Sequence, residues 1–165
     1  MISRRRVLVG GSGLAVAWVA LPAEGAAPGK ANPALSLFLF DRSIGGAAAA
    51  DAADRAGVTV AGFREDVGVP WLDVIEPMWR HAPQPIAGIT HGGALFCLEQ
   101  LGHSHGLACT VRLAIPQPAN DRLEAAALSL LDAAAGPFPV RRRLAAGQLD
   151  TPVAWLLQPI ARNDL

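Results

Sequence analysis

Two short apolar runs flank an alanine-rich stretch, and this arrangement constrains the fold more than any other feature. Leu35-Ser36-Leu37-Phe38-Leu39-Phe40 ends at Asp41, and Val58-Thr59-Val60-Ala61-Gly62-Phe63 follows about twenty residues later. Such runs read as strands buried on both faces. The residues between them, Ala47–Ala56, form a helix that Gly57 stops as a C-cap. A strand, a helix and a strand in under thirty residues predict two parallel strands joined by a crossover.

The same punctuation continues along the chain. Arg64–Pro70 reads as a polar loop. Trp71–His81 reads as a helix with a kink or an early stop at Pro77. Ile86–Ile89 is a third strand, and Thr90 caps a helix from about His91 to His105. Leu107–Ile115 is a fourth strand, Asp121–Ala135 a helix, and Val153–Leu157 a last strand, with a loop or partly ordered strand over 136–148. The expected fold is α/β. It has three layers (α/β/α) around a mostly parallel sheet of four or five strands, like half of a Rossmann or flavodoxin fold. Residues 35–165 form one domain.

Composition agrees with a packed domain. Of the 165 residues, 52% are hydrophobic and only 17% charged, which excludes a disordered polyampholyte. Basic and acidic residues number 14 each. Without a basic surplus, nucleic acid is not expected as a partner.

Residues 1–27 stand apart from this pattern. Ser3-Arg4-Arg5-Arg6 precedes a Gly/Ala/Val-rich stretch and a small-residue region ending in Ala26-Ala27. This order resembles a twin-arginine signal peptide, with Arg4 and Arg5 as its signature. The apolar run from Val7 to Leu21 is shorter than the roughly 20 residues a spanning helix needs, so no stable membrane span is expected after cleavage. Residues 28–34 are a linker. Removal of the signal leaves 11 basic and 13 acidic residues. The expected destination is the periplasm, reached through the twin-arginine translocase.

In an open parallel sheet, ligands bind beyond the carboxyl ends of the strands. That rule selects Asp41, Arg42 and Ser43 after the first strand, Arg64 and Asp66 after the second with Trp71 just beyond, and Thr90 and His91 after the third. Ser43-Ile44-Gly45-Gly46 and Thr90-His91-Gly92-Gly93 open helices, where free N–H groups attract anions. The same glycines equally serve tight turns and helix–sheet packing. Neither segment is a dinucleotide fingerprint or a P-loop.

His103, His105, Cys97 and Cys109 invite a metal or cofactor carrier, with His91 as a further ligand. Histidines two apart diverge on a helix, however, and no H-x-x-x-H or C-x-x-C occurs. No metal site and no cofactor are expected, and covalent c-type haem lacks its C-x-x-C-H motif. Cys97 and Cys109 would meet an oxidising compartment, and their spacing leaves a disulfide open.

Phe40-Asp41-Arg42-Ser43, Arg64-Glu65-Asp66-Val67, Trp71, Ile86-Ala87-Gly88-Ile89-Thr90, Leu95-Phe96-Cys97-Leu98-Glu99 and Trp155 together resemble a group of small twin-arginine-exported proteins of proteobacteria. That group has no established activity, so the resemblance implies export and a single domain but no chemistry. The leading expectation is therefore a periplasmic accessory or binding module, with a larger exported oxidoreductase as the candidate partner. The alternatives are a small hydrolase or isomerase using Asp41, Asp66 and His91, and a carrier of a metal or cofactor.

Overall fold

The computed structural model describes residues 35–135 and 149–160. The expected signal peptide, the linker and the 136–148 segment lie outside the described residues. The chain folds as a mixed α/β structure around a five-stranded sheet, in the order β2-β1-β3-β5-β4.

β1 (Leu37–Asp41), β2 (Thr59–Phe63) and β3 (Ile86–His91) are parallel, with β1 between the other two. β5 (Pro152–Pro159) runs antiparallel to β3, and β4 (Leu107–Ala114) runs antiparallel to β5. Four strands thus share one direction and β5 opposes them. The expectation of a mostly parallel sheet holds for strand direction, while half of the neighbouring pairs are antiparallel. Nothing in the period of Val153–Leu157 distinguishes the two directions, because a strand buried on both faces reads as one apolar run either way.

Successive strand residues point to opposite faces, and both faces are covered. On one side Phe38, Ala87, Ile89, Ala154 and Leu156 pack against α1 (Ala47–Arg55) and α5 (Asn120–Ala135). The small side chains Ala49, Ala52 and Ala53 let α1 lie close to the sheet. On the other side Leu37, Leu39, Ile86, Trp155 and Leu157 meet Ile75, Trp79, Leu95 and Leu98. The last two belong to α4 (Gly92–His103). Trp155 is completely buried and lies opposite Gly88 on β3. A Cβ at residue 88 would stand 2.3 Å from the Leu39 carbonyl oxygen and 2.7 Å from the Trp155 ring, so the tryptophan needs glycine there.

The segment after β2 departs from the expected loop and broken helix. A short turn α2 (Gly68–Pro70) leads into a π-helical turn (Trp71–Ile75) and then α3 (Glu76–His81). Within an α-helix, the Pro77 ring would clash with the carbonyl four residues earlier. The π turn, in which the Glu76 N–H donates to the Trp71 carbonyl, absorbs that conflict without breaking the helix. The other helical boundaries fall close to expectation, and Gly57 takes the left-handed φ of 78° that ends α1.

Candidate functional site

The carboxyl ends of β1, β2 and β3 surround a cavity of about 520 Å³. Asp41, Ser43, Glu65, Asp66, Val67, His91, Gly93, Ala94 and Cys97 line it. β1 has β2 on one side and β3 on the other, so the chain leaves this edge in opposite directions. The resulting crevice is where the parallel-sheet rule places a ligand.

Asp41 is the last residue of β1 and is only 3% exposed. One carboxylate oxygen, Oδ1, accepts the Ser43 N–H at 2.9 Å and the Ser43 hydroxyl at 2.7 Å. Asp41 thereby caps the 3₁₀ turn Arg42–Ile44. Ser43 does not cap the following helix: α1 begins after Gly46, because Gly45 at φ 83° closes the turn first. The Ser43 hydroxyl is left at the cavity wall.

His91 ends β3 and precedes α4. Its Nδ1 lies 2.8 Å from the Asp150 carbonyl oxygen. A carbonyl only accepts, so Nδ1 carries the hydrogen. The other nitrogen, Nε2, faces the Ser43 hydroxyl oxygen at 3.5 Å. Thr90, expected to cap α4, is instead fully buried. Its hydroxyl accepts the Trp155 indole N–H at 3.0 Å and donates to the His91 carbonyl at 3.0 Å. Thr90 is a core residue because β3 continues through it, two residues past the expected strand end.

Asp66 and Glu65 come from the loop after β2. Asp66 accepts the Gly68 N–H at 2.7 Å and so starts the helical segment. Glu65 adopts a φ of 66°, unusual for a residue other than glycine. This strain of the order of 1–2 kcal/mol sits directly at the cavity.

Of the residues selected from sequence, Asp41, Ser43, Asp66 and His91 therefore come together. Arg42, Arg64, Trp71 and Thr90 do not line the cavity. Arg42 runs beside β2, where a Cβ at Gly62 would stand 2.8 Å from its Nε. Trp71 packs edge-on against Trp79 at 5.6 Å and beside His105 at 5.9 Å. His105 also packs on Trp79, at 5.8 Å, while His103 is exposed at the end of α4. The two histidines thus do not face a common point. Among the described residues no group of three His, Cys, Asp or Glu side chains is arranged to hold a metal ion.

The anion reading of the α4 N-terminus is overturned at its first two N–H groups. Gly92 N–H donates to the Thr151 carbonyl and Gly93 N–H to the Leu149 carbonyl. Because β5 is antiparallel, the residues that lead into it arrive at this edge and occupy those donors. Sequence reasoning missed this contribution of 149–151, together with Cys97 in the cavity wall. Both cysteines are free thiols. Cys109 lies on β4, where burial pushes its thiol up to about 12.

Comparison of the chain with family models, with curated proteins and with solved structures returned no match.

Proposed function

We propose that this chain is an exported binding module whose ligand is a small, uncharged or cationic polar molecule. The composition of the cavity wall carries the reading. Asp41, Glu65 and Asp66 contribute three carboxyl groups there, and no Lys or Arg is among the lining residues. A carboxylate or phosphate ligand would meet repulsion with no compensating cation. A ligand that donates hydrogen bonds, or bears an ammonium group, meets acceptors suited to it. A volume of about 520 Å³ suits a small organic molecule.

Export rests on residues 1–27, whose Arg4-Arg5 pair and weakly apolar run suit the twin-arginine translocase. That route carries folded cargo, which agrees with an accessory role toward a larger exported oxidoreductase. The order β2-β1-β3 supports a Rossmann-like or flavodoxin-like reading of this half of the sheet, in which a ligand occupies the crevice beyond the strand ends.

Native mass spectrometry of untagged protein recovered from the periplasm tests the reading. The expected result is the cleaved chain carrying a small neutral or cationic molecule, lost in Asp66→Asn. A bare cleaved chain, or one carrying an anion, overturns it. Replacing both Arg4 and Arg5 with Lys is expected to leave the uncleaved precursor in the cytoplasm. Normal processing of that variant would exclude the twin-arginine route.

A further inference from the structure

The Ser43–His91 pair has the arrangement of a nucleophile beside its base. An activated serine needs an accessible hydroxyl, a base within reach and a third group that orients the base. Ser43 is exposed and lines the cavity. His91 Nε2 faces its hydroxyl oxygen at 3.5 Å, a separation typical of such pairs before substrate tightens them. The Asp150 carbonyl holds the hydrogen on Nδ1, so a neutral His91 presents the Nε2 lone pair toward Ser43. Each of the three comes from a different part of the chain: the turn after β1, the end of β3 and the approach to β5.

We infer that Ser43 is a nucleophile that accepts an acyl group from a small uncharged or cationic ester, with His91 as its base. The inference rests on the cavity being a ligand site. In the resting structure the Ser43 hydroxyl points to Asp41 Oδ1. Rotation about the Cβ–Oγ bond redirects its hydrogen to His91. Ser43 Oγ then bonds to the ester carbonyl carbon while its proton passes to Nε2. The ester C–O bond breaks, and the departing alcohol takes that proton from His91. Water, deprotonated by the same nitrogen, releases the acid and restores Ser43. The N–H groups of Ser43, Gly92 and Gly93 are already engaged, so none of these three stabilises the developing oxyanion. Acylation is therefore expected to be slow.

The probe is a small uncharged alkyl fluorophosphonate. Ser43 Oγ bonds to phosphorus, fluoride leaves, and the proton goes to His91. Intact-mass and peptide mass spectrometry on the folded chain should show one adduct, located on Ser43. Ser43→Ala should remove it. His91→Asn keeps a donor near the Nδ1 position for the Asp150 carbonyl but removes the base, and should slow labelling by at least about tenfold. Should that variant fail to fold, His91→Gln takes its place, with the same slowing expected. Absence of an adduct, an adduct only elsewhere, or a rate unchanged in the His91 variants overturns the inference. Wild-type protein that carries a small neutral or cationic molecule in native mass spectrometry yet gives no Ser43 adduct separates failure of the nucleophile from failure of the binding reading.

Discussion

The two halves of the sheet treat their polar groups in opposite ways. In the parallel half, β2-β1-β3, polar side chains gather at the strand ends and face an open crevice. In the antiparallel half, β5-β4, they pair with partners inside the fold rather than at an open edge. Thr110 sits at a bulge in β4 and donates to Gln158 Oε1 at 2.7 Å, with both residues buried. Arg112 on β4 pairs with Glu99 on α4, and the Trp155 indole is bonded to Thr90. A buried polar group must be satisfied internally, whereas one at an open edge can be left for a ligand. The difference separates a sealed half, whose polar groups are paired within the fold, from an open half that holds the proposed ligand site.

That contrast can be broken by substitution. Trp155→Ala in the sealed half should cost about 3–5 kcal/mol, read from urea denaturation midpoints. A cost near zero would mean the two halves are not distinguished by packing. Thr90→Val, at the border between the halves, leaves the Trp155 N–H buried without its acceptor. It should cost about 1–3 kcal/mol by the same measurement.

Cys109 gives a pH test of the sealed half. Its thiol has an ordinary value of 9.0 and is pushed up to about 12 by burial. Because the folded value is the higher one, the unfolded chain loses the proton first as pH rises. The stabilisation is complete below pH 9.0 and disappears toward about 12, at roughly 1.4 kcal/mol per pH unit. Unfolding free energies measured from pH 8 to 10 should fall more steeply for the wild type than for Cys109→Ala. Equal slopes would show that the thiol titrates alike in both states. The smallest effect belongs to the open half. Asp66→Asn keeps an oxygen for the Gly68 N–H and should change stability by no more than about 0.5 kcal/mol while ligand is lost. A large stability loss there would merge the two halves into one kind of structure.

Much of the open half was legible in the sequence. Apolar runs ending in polar residues located β1, β2 and β3, and the strand-end rule then brought Asp41, Ser43, Asp66 and His91 to one place. What escaped was set by contacts distant in sequence. Thr90 reads as a helix cap from its neighbours, but an indole 65 residues away takes its hydroxyl into the core. Trp71 reads as a ligand platform, but the π turn places it beside Trp79 and His105. The orientation of β5 has no local signature. The Asp150 carbonyl that fixes the hydrogen on His91 was therefore invisible until the strand was placed.

The position of β5 also governs the order of assembly. β5, the last of the described strands in chain order, lies between β3 and β4, so β4 cannot join the sheet until β5 is inserted. Until then two strand edges stand open, and such edges invite pairing with other chains. Closing contacts between distant parts of the chain is intrinsically slow. Insertion of β5 also carries Asp150 to His91, so the His91 contact and the pairing of β3 with β4 through β5 are completed by the same event.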